Sequence, residues 1–464
     1  MPGTEPDLSK SLFSHIDFTN GAVAAVSGGS DSTALLLLLK RHLDRTAPAT
    51  KLLAVTIDHG LRPGSAEEAQ AVAKLCAAHA IAHRILAWSG PKPSTGLPAA
   101  AREARYWLLA ETAQAEGIGL ILTGHTADDQ AETVLMRQAR KEGLARDEGR
   151  GHADTAGRGL AGMAPATLYD WRSWIVRPLL GARRAALRDV LWRQNVGWTD
   201  DPTNADKAFE RPRLRATLAD AEGAQRIDDA LALAAHEGDA RRQLGLVAAD
   251  LIRRFATQPA MGLIRLDPAL LNAGEDRAAV YALRLLLATT GGIAFLPDQA
   301  RSEALFGRLK AGFLCATLSR TVVDSRRVGI FLRREARGLP PAAAVTEGAL
   351  WDGRRHITLN DSGGALLIAP FGAIAAKRLA IGEGKTPPSL VRAALAGEPA
   401  LWQAGECLGL PGDSRAPRVV EARPTVAPFA HFLPSFDLAP ALAVAELVGA
   451  APVLPLPFGG HSAG

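Results

Sequence analysis

Ser27-Gly28-Gly29-Ser30-Asp31-Ser32 puts two glycines, three hydroxyls and a carboxylate in consecutive positions. Adjacent glycines let a backbone turn tightly and approach a ligand closely. Successive amides at a helix start form a positive nest that suits phosphate, and the serines add hydroxyl donors. Asp31 is repelled by phosphate oxygens unless a cation lies between them, so it points to Mg²⁺ bridging to a polyphosphate. The run lacks the Gly-Lys-Ser/Thr end of the Walker pattern and is not a GxGxxG fingerprint. The bland alternative is a plain glycine-rich turn.

Three further groups carry chemistry. Asp58 and His59 stand in Asp58-His59-Gly60-Leu61-Arg62. Arg102 and Arg105 lie three apart in Ala101-Arg102-Glu103-Ala104-Arg105-Tyr106 and share a helix face. Gly124-His125-Thr126-Ala127-Asp128-Asp129-Gln130-Ala131-Glu132-Thr133 sets Asp129 and Glu132 three apart at a helix start, where both can face the pocket of His125. An Asp and a His at a strand's carboxyl end are well placed at the ligand edge of a sheet. The competing uses are turn capping for Asp58 and His59, a solvated stripe for the arginines, and acidic helix capping, a job that falls to Asp128.

The elements that must position these groups alternate. Strands are expected at 22–26, 51–57, 82–87 and 120–123, and helices at 33–43, 67–80, 99–116 and 128–140. That order implies a parallel sheet covered on both faces, with ligands at the carboxyl ends of its strands. All four groups fall there. Residues 142–160 read as a polar, glycine-rich loop. A hairpin and an arginine-rich helix, Arg183–Gln194, follow. The fold class expected is α/β: a parallel-sheet N-terminal domain (1–215), a mostly helical domain (216–312) and a smaller mixed α/β C-terminal region (313–464). Leu438 to Phe458 reads as a helix from about Pro440 to Val448 and then an extended, proline-rich tail packed on a domain.

Hydrophobic residues make up 47% and charged residues 22% of the 464-residue chain, which excludes a disordered, collagenous or coiled-coil protein. Cys76, Cys315 and Cys407 lie far apart without a CxxC, which excludes a zinc ribbon, a disulfide framework and a CxxC redox site. Met1–Lys10 is no signal peptide and no apolar run suits a membrane span, so a cytoplasmic setting is expected.

The hexapeptide resembles the pyrophosphate-loop signature of the ATP pyrophosphatases. With the other blocks, and with Arg177-Pro178-Leu179-Leu180 and Asp201-Pro202-Thr203-Asn204, residues 20–215 resemble the tRNA(Ile)-lysidine synthetase family. The resemblance implies that ATP activates the C2 carbonyl of cytidine 34 in the CAU anticodon of tRNA(Ile). Free L-lysine then displaces AMP through its ε-amine, giving lysidine. It further implies that Ser27, Gly28, Gly29, Ser30, Asp31 and Ser32, with Asp58 and His59, hold ATP, and that Asp31 approaches Mg²⁺. Arg105 and His125 would serve the α-phosphate, and Asp129 and Glu132 the lysine. Two departures stand out. Pro98 replaces a common glutamate, and Pro212 interrupts the arginines of Arg211-Pro212-Arg213-Leu214-Arg215.

The net charge of +5 is not spread evenly, because residues 172–215 carry a local basic excess. Arg183, Arg184, Arg188, Arg193, Arg211, Arg213 and Arg215 are the expected tRNA phosphate contacts. A second cluster, Arg320, Arg326, Arg327, Arg333, Arg334 and Arg337, offset by Asp324 and Glu335, makes the C-terminal region a candidate for tRNA binding. Trp171, Trp174, Trp192 and Trp198 are candidate stacking surfaces for unpaired bases. Two alternatives remain: another ATP-dependent tRNA-modifying pyrophosphatase of thiolase type, and a non-catalytic nucleotide- or RNA-binding protein. The oligomeric state is open, with a homodimer as one candidate.

Overall fold

A computed structural model describes residues 8–61, 64–90, 92–146, 159–199, 210–218, 220–359, 366–379, 386–413 and 420–459. Arg62, the Asp201-Pro202-Thr203-Asn204 run and residues 147–158 of the expected loop lie outside them. The chain opens with α1 (Leu8–Phe13), β1 (Ala22–Ala25), α2 (Ser30–Thr46), β2 (Leu52–Asp58), α3 (Ser65–Ala78) and β3 (Ala82–Ala87). Next come α4 (Leu97–Ala115), β4 (Leu120–Leu122), α5 (Ala127–Arg146), β5 (Ala166–Tyr169) and β6 (Ser173–Val176). Three helices follow: α6 (Arg184–Arg193), α7 (Glu210–Ala216) and α8 (Ala221–Phe255).

The central sheet has seven strands in the order Phe432–Pro434, β5, β6, β4, β1, β2, β3. β6, β4, β1, β2 and β3 run parallel, while β5 and Phe432–Pro434 are antiparallel additions at one edge. β1 and β4 are neighbours in the sheet, but the chain between them travels outward through β2 and β3 and then crosses back. The order therefore reverses at β1 and β4, and the crevice at their carboxyl ends is where a ligand fits. Ser27–Ser32 follows β1 and Gly124–Thr133 follows β4, so the topology sets these two blocks side by side. Leu35, Leu36, Leu37, Leu38 and Leu39 of α2 are all buried, as an apolar run between a sheet and a neighbouring helix requires.

α5 extends to Arg146, six residues past the helix expected from the sequence, into the start of the expected loop. Within the segment expected to be mostly helical, Ala256–Ala260 and Leu263–Leu266 form strands. They join Gly329–Arg334, Thr321–Arg326 and Cys315–Leu318 in one antiparallel sheet, so pairing runs across position 312. Ala256–Ala260 is short and contains Pro259, which leaves no strand periodicity to read. The helix Leu438–Val448 packs on α8. The tail beyond it returns to the first residues: Asp17 N donates to Pro457 O at 3.0 Å, and Gly459 N to His15 O at 2.8 Å. Among the described residues no helix is long and apolar enough to cross a membrane.

Candidate active site

The first block is a turn that ties itself together. Gly28 has φ +87°, a backbone conformation open to glycine, and the Gly28 carbonyl accepts from Thr199 N at 2.9 Å. Ser32 Oγ donates to the Gly29 carbonyl at 3.1 Å and accepts from Ser27 N at 3.1 Å. Ser30 Oγ donates to Asp31 at 3.1 Å. Gly29, at the N-cap of α2, has no side chain to cap it, so the first amides of the helix suit an anion.

After β2, the Asp58 carboxylate accepts from Gly60 N at 2.8 Å, and that bond holds its pKa below the ordinary value. Asp58 thus shapes its turn. His59 Nε2 lies 3.3 Å from Arg105 Nη2, and its ring meets Trp88 edge-on at 5.9 Å. Burial first, and Arg105 second, push His59 down to about 4, so it is neutral near pH 7. Among the described residues its buried Nδ1 has no hydrogen-bond partner.

After β4, His125 Nδ1 sits 3.0 Å from Thr123 Oγ1. Burial, then the charge of Arg177, hold His125 well below its usual range and keep it neutral. Thr126 and Asp129 form the capping box of α5: Asp129 Oδ2 accepts from Thr126 N at 2.9 Å, and Thr126 Oγ1 accepts from Asp129 N at 3.3 Å. Asp128 does not cap its own helix. It accepts from Arg184 N at 2.7 Å, at the start of α6.

The arginines meet these carboxylates. Arg184 Nε donates to Asp31 Oδ2 at 2.9 Å, and its Nη2 donates to Asp129 Oδ1 at 2.9 Å. Its Nη1 lies 3.7 Å from Glu132. Arg215 grips Glu132 in a bidentate pair at 2.6 and 3.1 Å. Glu132 is only 2% exposed, so a partner cation is required there. Burial alone would raise the pKa of Asp129, but Arg184 and the Thr126 amide outweigh it and hold the group ionised.

The structure therefore joins Asp31, Asp129, Glu132, Arg184 and Arg215 in one ion-paired cluster, while Arg105 pairs with His59 after β2. Arg188 Nε reaches Ser30 Oγ at 3.3 Å and lies over Trp198. Arg183 pairs with Asp228 of α8 at 3.1 Å, Arg211 reaches Thr133 Oγ1 at 3.5 Å, and Arg213 and Arg193 stand on the same short helices, α7 and α6. In the second cluster, Arg320 and buried Arg334 both hold Asp352, and Arg326 holds Asp324. Of the tryptophans, Trp174 is buried and Trp171 donates to Phe429 O, whereas Trp192 is 74% exposed on α6.

Sequence reasoning did not foresee that Arg184 joins Asp31 to Asp129. A signal was present: Arg183 and Arg184 start a helix, where cations oppose its dipole unless carboxylates answer them. It also missed His431, far along the chain, which bonds Asp170 and Glu103 at the edge where Phe432–Pro434 joins β5.

The PP-loop domain family matches residues 8–222 of this chain. The tRNA(Ile)-lysidine synthase of Mesorhizobium japonicum is 72% identical over 464 residues, all of both chains. That of Brucella canis is 37% identical over 443 residues, covering 92% of this chain and 94% of its own. Among solved structures, a U34-tRNA thiolase from Methanococcus maripaludis with a [4Fe-4S] cluster matches 50% of this chain and 76% of its own, at 15% identity and a TM-score of 0.39, too distant to carry an argument.

Proposed function

Because the chain belongs to the tRNA(Ile)-lysidine synthases, we infer that this pocket is where ATP, tRNA(Ile) and L-lysine meet. The protein is an ATP-dependent ligase that makes lysidine, and the pocket supplies a physical account of how. The observation that carries the residue roles is the meeting of the phosphate-type turn after β1 with the Asp129–Glu132 pair after β4.

The amides at the start of α2 and the hydroxyls of Ser27, Ser30 and Ser32 suit the phosphates of ATP. The C2 oxygen of cytidine 34 attacks the α-phosphorus, and pyrophosphate leaves. Arg105 and neutral His125 suit the charge that develops on the α-phosphate, and His59 beside Arg105 supports that reading. Asp31 fits Mg²⁺ because its carboxylate stands at the phosphate turn and already accepts a cation, with Asp129 sharing that cation. The ion supplies neutralisation of polyphosphate charge.

Asp129 and Glu132 hold the lysine ammonium. An attacking amine must be neutral, and a reference lysine pKa of about 10.4 makes that costly at neutral pH. A carboxylate of this pair takes up the proton. The ε-nitrogen bonds to C2, and the former C2 oxygen departs with AMP. Arg193, Arg211 and Arg213, exposed on α6 and α7, and the face of Trp192 suit the phosphates and unpaired bases of the anticodon loop. This reading carries a cytoplasmic setting with it.

Multiple-turnover pyrophosphate release tests the reading. Sustained release is expected only when ATP, Mg²⁺, L-lysine and unmodified tRNA(Ile) are all present. Sustained release without lysine would remove lysine from the reaction.

A further inference from the structure

Asp31, Asp129 and Glu132 bring three negative charges to one pocket, and a single guanidinium reaches all three. Arg184 lies 2.9 Å from Asp31, 2.9 Å from Asp129 and 3.7 Å from Glu132. Arg215 adds a second cation at Glu132 and lies 3.6 Å from Asp129. These are the carboxylates that the reading above gives to Mg²⁺ and to the lysine ammonium. A guanidinium and an arriving ammonium compete for the same oxygens and repel each other.

We propose that Arg184 is a resident cation that the substrates displace, and that its guanidinium then moves to the phosphate oxygens of ATP, where it becomes a catalytic residue. The inference rests on the lysine and ATP roles given above. The backbone of Arg184 is pinned, because its N–H donates to Asp128 at 2.7 Å, so the side chain can swing while the helix start stays in place. The swing is short. Asp31 belongs to the phosphate turn itself, and Arg188, one turn along the same helix, already reaches Ser30 Oγ in that turn at 3.3 Å. The incoming ligands bring positive charge to the carboxylates and one strong anion, the triphosphate. A displaced guanidinium follows the anion, and a planar fork suits phosphate oxygens. With Arg184 on the carboxylates, the lysine site is neutralised before substrates arrive; with Arg184 on phosphate, the same charge serves the adenylate.

Two measurements on wild type, R184A and R184K test this. The first is equilibrium binding of L-lysine by calorimetry, without ATP or tRNA. R184A is expected to bind lysine at least about threefold more tightly, since the competing cation is gone. The second is pyrophosphate release with all substrates, expected to fall ~10²-fold in R184A, with R184K between the two. Weaker lysine binding by R184A would put Arg184 on the carboxylate of the amino acid and overturn the proposal. Unchanged lysine binding would overturn it as well. If R184A fails to fold, as its thermal melt would reveal, R184Q takes its place. Lysine binding by R184A but not by wild type meets the expectation, whereas no binding by either contradicts the lysine reading itself. A wild type that binds lysine, beside variants that do not shift, contradicts only the role of Arg184.

Discussion

Gly124 lies against the backbone of Ser32: a Cβ on Gly124 would stand 2.9 Å from the Ser32 nitrogen and 3.0 Å from its Cα. The two residues follow β4 and β1, the strands at which the sheet order reverses. This close approach lets the carboxylate block settle beside the phosphate-type turn.

Gly124→Ala follows from it directly. The contact is with backbone, so no side chain can swing aside to make room. We expect a loss of stability of ~1–3 kcal/mol, seen in a thermal melt, together with weaker ATP binding. ATP binding that stays at the wild-type value would show that the turn tolerates displacement.

Asp129→Asn and Glu132→Gln separate the two substrates. Each should raise the KM for lysine about tenfold, or ~1.4 kcal/mol, and leave the KM for ATP little changed. Equal rises for both substrates would sink the assignment of the pair to lysine.

Salt dependence sorts the arginines. Arg193 is exposed on α6, and Arg183 just before that helix is half-buried beside Asp228, whereas Arg184 is held on the carboxylates of Asp31 and Asp129. Each of Arg183→Ala and Arg193→Ala should flatten the plot of log affinity for tRNA against log salt by about 0.7–0.9 if that arginine meets one phosphate. Arg184→Ala should leave the slope unchanged. Identical slopes in all variants would mean that α6 is no phosphate contact.

His431 gives the fold a pH dependence. Its hydrogen bond to Asp170 raises its pKa, burial opposes, Glu103 adds to the rise, and the value reaches about 8. A raised folded-state pKa means the stabilisation is complete below the unfolded value, near 6.5, and is lost as pH rises through about 8. The melting temperature should therefore fall over that window, and His431→Gln should flatten the fall. Parallel curves for the two proteins would show that this link between Phe432–Pro434 and α4 does not matter to stability.

How much of this was legible in the sequence depends on distance along the chain. The alternation of strand and helix through residue 140 marked the parallel sheet, because each element is local and strongly patterned. Ser27–Ser32 and Gly124–Thr133 could be placed at strand ends for the same reason. The pairing of Arg184 with Asp31 could not, since 153 positions separate them and only the packed fold closes that gap. The same holds for Phe432–Pro434, three residues with no periodicity of their own that add an edge to a sheet built far upstream. Asp128 shows a subtler limit. An acidic residue at a helix start reads as a cap for that helix, but here Thr126 and Asp129 do the capping and Asp128 serves α6.

The central claim is that this pocket joins lysine to cytidine 34 at the expense of ATP. Mass analysis of the nucleoside at position 34, after incubating wild type with ATP, Mg²⁺, L-lysine and tRNA(Ile) bearing CAU, tests it most directly. The account predicts cytidine plus lysine minus water, formed by wild type and strongly reduced in Glu132→Gln. An unmodified cytidine alongside consumed ATP, or the same product from Glu132→Gln at the wild-type rate and lysine KM, would contradict it.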